Sequence, residues 1–258
     1  MIRTLLIIAG AAFVLCLVTL GGAAAIGGRD MAAHGWSWTF RDDDGGNLRL
    51  VRADDARAEE VTRTLAWAGG DTLILDLNAE VEYVQGATPG ITVVGPADRV
   101  NQIRIENGRL FRDGQDETGE RLVYGRNRDG RGFWINDDEV RIVVTAPSVT
   151  RFEIPGSADL TLRGYDQPSL SLDIAGSGDV TGSGATQALA LTISGSGDVD
   201  FSDLLAEDAD ITISGSGDAR IAAAGAAKVN LSGSGDIDFA TRPTSLSQTI
   251  TGSGDVTQ

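Results

Sequence analysis

Ile193-Ser194-Gly195-Ser196-Gly197-Asp198-Val199 recurs, with small changes, along the C-terminal part of the chain. Its central turn stands at Gly156-Ser157-Ala158-Asp159 and at Gly176-Ser177-Gly178-Asp179. It returns at Gly195-Ser196-Gly197-Asp198, Gly215-Ser216-Gly217-Asp218, Gly233-Ser234-Gly235-Asp236 and Gly252-Ser253-Gly254-Asp255. The intervals are 20, 19, 20, 18 and 19 residues. A nearly fixed period of this length predicts a solenoid. The flanks repeat as well. Ile154, Ile174, Ile193, Ile213, Leu231 and Ile250 stand two residues before each turn, and Leu172, Leu191, Ile211 and Val229 two residues earlier. Leu160, Val180, Val199, Ala219, Ile237 and Val256 follow each Asp. Such alternation marks strands with one buried face.

One coil of about 19 residues cannot bury its inner face alone. Coils stacked about 4.8 Å apart pair their strands in parallel and align the inner residues. Each buried aliphatic side chain then contributes roughly 1.5–3 kcal/mol. The glycines are expected to allow a sharp turn with unusual φ and to leave room for the next coil. The Asp column (Asp159, Asp179, Asp198, Asp218, Asp236, Asp255) is expected to hold the corners by accepting backbone N–H groups. Like charges at that spacing repel by under about 1 kcal/mol in water, so the column is tolerable without a metal. No cofactor or metal is called for.

Working outward, residues 61–111 and 140–147 have β texture. Strands are expected at 71–77, 79–84, 90–94 and 101–106, and Asn107-Gly108 reads as a hairpin turn into Arg109. Between them, residues 112–139 form a polar insertion with Arg121, Arg126, Arg128 and Arg131 among Tyr124, Phe133 and Trp134. Arg with aromatics is a common binding composition. Arg126, Arg128, Arg131 and Trp134 are therefore the candidate binding residues; the plainer alternative is a variable loop anchored by Trp134. Gly182-Ser183-Gly184 interrupts an apolar position and makes the second coil weak.

The N-terminus bounds location. Residues 5–26 carry no charge and follow Arg3, which reads as a signal peptide or a single transmembrane anchor over residues 1–28. Residues 29–60 read as a linker, first aromatic (Trp36, Trp38, Phe40), then polar. The aromatics suit a membrane interface or a short packed strand. The β-helix domain is assigned to residues 61–258. Either reading of residues 1–28 places the rest on the periplasmic side of the inner membrane or beyond it.

Composition narrows the function classes. Net charge is −16, which argues against a nucleic-acid partner. The single cysteine, Cys16, lies in the apolar run, and the single histidine, His34, lies close after it. Nucleophilic Cys chemistry and His-rich metal sites are thereby excluded. Two carboxylates suffice for a glycosidase, so polysaccharide cleavage stays as the alternative to a non-catalytic binding, adhesion or structural module. The expected partner is an envelope component or glycan. The last coil stops just after a turn, with Gln248 at a formerly apolar position, so its open edge is a candidate for homo-oligomeric pairing.

The unit Ile-Ser-Gly-Ser-Gly-Asp-Val resembles the bacterial family described as putative auto-transporter adhesin, head GIN domain. Residues 77–86, Ile91-Thr92-Val93-Val94-Gly95 and Asn107-Gly108-Arg109-Leu110 resemble the earlier part of that family. The resemblance covers residues 61–258. It implies an all-β, right-handed parallel β-helix on an exported protein, and it offers no catalytic residues to carry over.

Overall fold

The computed structural model describes residues 60–113 and 140–258 in full, and the backbone of residues 37–41, 47–52, 121–127 and 130–135. The segment 1–28, Cys16, His34, Trp36 and Arg128 lie outside the described residues. Two compact units result, one holding residues 1–58 and 115–137, the other residues 59–114 and 138–258.

In the smaller unit, β1 (Ser37–Arg41) pairs antiparallel with β2 (Asn47–Arg52). In the larger unit come β3 (Glu60–Leu65), β4 (Thr72–Asp76), β5 (Glu80–Gln85) and β6 (Gly90–Pro96). A short helix, α1 (Ala97–Val100), leads to β7 (Ile103–Glu106) and β8 (Arg109–Arg112). The chain then returns to the smaller unit for β9 (Arg121–Asn127) and β10 (Gly130–Ile135), and β2 pairs with β9 to complete a four-stranded sheet, β1-β2-β9-β10. These strands lie in the segments that the sequence reads as linker and polar insertion.

The larger unit continues with β11 (Arg141–Ala146), β12 (Arg151–Ile154), β13 (Asp159–Ile174), β14 (Val180–Ile193) and β15 (Val199–Ile213). It ends with β16 (Ala219–Ala223), β17 (Ala226–Leu231), β18 (Ile237–Thr241), β19 (Ser245–Ile250) and β20 (Val256–Thr257). It is a β-solenoid of about five turns with about 20 residues per turn. The expected columns form. Leu172, Leu191, Ile211 and Val229 are register partners from coil to coil, and so are Leu160, Val180, Val199, Ala219 and Ile237. All are buried.

The stack extends one coil earlier than the repeat. β4 pairs in parallel with β12, and β5 with β13, so Leu73 precedes Phe152 and Val81 precedes Leu160 in the same columns. Below that coil the pairing changes sense. β11 is parallel to β5 but antiparallel to β6, β6 is antiparallel to β3, and β8 pairs antiparallel with β7. Antiparallel strands thus close the N-terminal end of the parallel stack. The Asn107-Gly108 hairpin forms as expected, with φ of 49° and 81° at its two central residues.

Three aromatics, on β5, β12 and β13, pack together in the first coils of the stack. Tyr83 meets Phe152 edge-on at 5.2 Å, and Tyr165 lies 6.3 Å from Tyr83. Both tyrosine hydroxyls are satisfied in the core. Tyr83 donates to the Ala146 carbonyl at 2.9 Å, and Tyr165 reaches the Val149 and Ser169 carbonyls. Burial raises the Tyr83 phenol. It raises Tyr165 further, with the neighbouring Tyr83 adding to the effect.

The glycine expectation needs one correction. No glycine of the Gly-Ser-Gly-Asp turns adopts a left-handed φ. Their reason is proximity. A Cβ on Gly195 would sit 1.8 Å from the Gly176 oxygen, and one on Gly197 would sit 2.2 Å from the Gly178 oxygen. Backbone lies directly on backbone at the corner, so only hydrogen fits.

Candidate functional site

The corner column is built by an interaction between coils. The backbone N–H of Asp179 donates to the Asp159 carboxylate at 2.9 Å. Asp198 donates to Asp179, Asp218 to Asp198, Asp236 to Asp218 and Asp255 to Asp236, over 2.7–3.0 Å. Each carboxylate from Asp159 to Asp236 therefore accepts from the equivalent residue one coil later. The intervening serines add a second rung. Ser196 N–H donates to the Gly176 carbonyl and Ser216 N–H to Gly195, both at 3.0 Å. Together these bonds satisfy corner amides that a β-ladder leaves without partners.

Beside the corner runs an open groove of about 410 Å³, lined by Asp179, Asp198, Asp218, Asp236, Asp200, Asp238 and Arg220 among others. Its charges are partly internal. Arg220 pairs with Asp238 at 3.4 Å, and Thr257 donates to Asp238 at 2.9 Å. The Ser202 hydroxyl donates to Asp200 at 2.6 Å and its N–H at 3.0 Å. These bonds hold the Asp200 carboxyl below the usual carboxylate range. A glycosidase acid needs the opposite shift. Among the described residues, no group of three or more His, Cys, Asp or Glu is placed to share a metal ion.

The strand before the corner shows a second feature. Asp173, Thr192, Thr212, Asn230 and Thr249 are successive register partners, and all but Thr249 stand between two buried residues. After Asp173, whose carboxylate pairs with Arg151, they make a ladder of hydroxyl and amide groups one strand spacing apart on an outer face. Nothing in the turn motif itself points to this ladder; the signal is the residue between the two inner columns.

The smaller unit carries the residues singled out in the insertion. Arg126 and Arg131 are direct cross-strand partners at the end of the β9–β10 hairpin. Trp134 is the partner of Val123, and it falls on the opposite face by strand alternation. The hairpin thus brings two of the arginines together and separates them from the tryptophan.

A family model for the putative auto-transporter adhesin, head GIN domain, matches residues 71–243. Solved structures resemble the chain, and the first of them shares its fold. A putative adhesin from Bacteroides fragilis is 19% identical, with a TM-score of 0.56, over 77% of this chain and 96% of that one. A putative adhesin from Parabacteroides merdae is 14% identical, with a TM-score of 0.43, over 81% of this chain and 98% of that one. A putative lipid binding protein from Parabacteroides distasonis is 17% identical, with a TM-score of 0.42, over 81% and 98%. No curated protein matches the chain.

Proposed function

We propose, for a chain that belongs to the putative auto-transporter adhesin, head GIN domain family, that the solenoid is a non-catalytic binding module of the cell envelope. Residues 1–28 export it and hold it to the membrane or are removed after export. The carrying observation is the use made of the corner carboxylates. Each of the first five accepts a backbone N–H from the coil above, so the most regular acidic feature of the molecule is committed to stacking. Asp200, beside it, is held in the ionised form. What the coils offer to solvent is a rigid polar ladder, Thr192, Thr212, Asn230 and Thr249, repeated at one strand spacing. Such a ladder suits an extended, repeating ligand such as an envelope glycan, held by many weak hydrogen bonds.

The test is co-sedimentation of the protein with envelope polysaccharide, with reducing ends assayed in the same tubes. Retention without new reducing ends is the expected result. Loss of retention on replacing Thr192, Thr212 and Thr249 by Val would place the contact on the ladder. New reducing ends that vanish in Asp198→Asn or Asp200→Asn would establish the polysaccharide-cleaving alternative.

A further inference from the structure

Among the described residues, β19 is hydrogen-bonded only to β17, and β20 only to β18. The coils beneath fix which backbone groups of β19 face this open end. The carbonyls of Ile174, Ile193, Ile213 and Leu231 accept from Ser194, Ser214, Ser232 and Thr251, each in the following coil. Ile250 is the next member of that column, as the register partner of Leu231. Its carbonyl and N–H therefore face the open end. Backbone groups alternate in direction along a strand. Leu246 and Gln248 thus present theirs the same way as Ile250, while Ser247 and Thr249 bond to the coil beneath.

The side chains of the same three residues continue the inner columns. Leu246, Gln248 and Ile250 are register partners of Ala227, Val229 and Leu231, all of which are buried. In the last coil Leu246 is half-buried, Gln248 is exposed and Ile250 is 40% exposed. The inner columns reach solvent here. Such an edge invites another strand unless charge, proline or a bulge blunts it. Ser245–Ile250 holds no charged residue and no proline, and its register with β17 is unbroken.

We infer that this edge pairs antiparallel with the same edge of a second copy of the chain, about a two-fold axis at Gln248. Register selects the arrangement. Antiparallel hydrogen bonds form between residues that both face the gap, so only Leu246, Gln248 and Ile250 can stand opposite one another. Placing Gln248 opposite the partner's Gln248 uses all three. Leu246 then lies opposite the partner's Ile250, and Ile250 opposite the partner's Leu246. Side chains of opposite residues share a face, so the inner columns of one solenoid run into those of the other. Two apolar pairs flank the two Gln248 amides, each of which can donate to the other's carbonyl. Charge selects the same strand as the contact. Two copies of a chain of net charge −16 repel, and the strands that meet are uncharged. On the outer face Thr249 comes opposite the partner's Ser247, so hydroxyl groups line the junction. The contact is isologous and closes as a dimer.

The experiment uses the full chain in detergent, with Cys16→Ser removing the single native cysteine. Gln248→Cys is expected to give a disulfide-linked dimer under mild oxidation. Cα atoms across a hydrogen-bonded antiparallel pair stand about 5.5 Å apart, within disulfide reach. Leu246→Cys is expected to stay unlinked, because its mate lies about 14 Å away along the strand. Leu246→Cys combined with Ile250→Cys should link again. Sedimentation equilibrium of the cysteine-free chain gives a second reading. Gln248→Glu opposes two like charges and should weaken dimerisation roughly tenfold or more, whereas Gln248→Leu should retain it. Gln248 is exposed, so both variants should keep the circular dichroism of the parent. A chain that is monomeric at every concentration overturns the inference. So does a dimer indifferent to Gln248→Glu, or one linked as readily by Leu246→Cys as by Gln248→Cys, since such a dimer is joined elsewhere.

Discussion

Gly215 shows how a single atom limits this fold. A Cβ there would lie 1.8 Å from the Gly195 oxygen, and the obstacle is backbone, which cannot swing aside. Gly215→Ala is therefore expected to lose at least about 1–3 kcal/mol, the usual cost of overpacking, in denaturant unfolding. Gly90 is the control, since nothing lies within 4 Å of its added Cβ, and Gly90→Ala should unfold near the original midpoint. The tyrosines make a second prediction at this scale. Tyr83 and Tyr165 are buried and their phenols are raised, so the folded protein keeps them protonated where the unfolded chain ionises near pH 10. The unfolded state then binds fewer protons. Their contribution is complete below about pH 10 and is lost as pH rises further. Of the three tyrosines in the chain, two should develop phenolate absorbance only together with alkaline unfolding. Independent phenolate formation by all three in the folded state would contradict the buried positions.

Between neighbouring strands, size is exchanged. Gly182 is the position where the apolar column lapses, and the sequence alone makes that coil look weak. The Phe201 ring of the next coil fills the space, 2.8 Å from where a Gly182 Cβ would stand, with Leu204 close behind at 3.0 Å. Phe201→Ala should cost about 3–5 kcal/mol by leaving a cavity. Gly182→Leu alone should also destabilise, by clash. The double variant is expected to recover part of both losses in a double-mutant cycle; simple additivity would show that the two positions do not share the space. Ile213 tests the column itself. It is fully buried and stacked on Ile193 and Leu231. Ile213→Asp places an unpaired charge in the core and should abolish the cooperative transition seen by circular dichroism.

For the larger unit as a whole, stability is distributed along the stack. β14 and β15 pair with coils on both sides, whereas β19 and β20 pair on one side only among the described residues. Leu246 is half-buried and Ile250 is 40% exposed, unlike their column partners. In the dilute monomer, amides of residues 245–257 should exchange with solvent first and those of residues 189–213 last. Protection of 245–257 that grows with protein concentration is the mark of end-to-end pairing at Gln248. The N-terminal end is different in kind, since β3, β6 and β7 cover it with antiparallel strands.

The amino-acid sequence alone determined the coil period, the inner columns and the position of the corners. Each coil meets its neighbours through the same few residues, so one local alternation of period 2, repeated, carries the whole stack. The Asn107-Gly108 hairpin was equally local. Only the tertiary structure decided the rest, because the rest depends on partners distant in the chain. Strands 72–76 and 80–85 form a coil without a Gly-Ser-Gly-Asp turn, and they are recognisable as one only from their pairing with residues 151–163. The corner carboxylates hold the following coil, and the glycines answer to the backbone beneath them; neither fact is visible within one repeat. The meeting of residues 47–52 with residues 121–127 joins two segments far apart in the chain, and no local pattern marks that register.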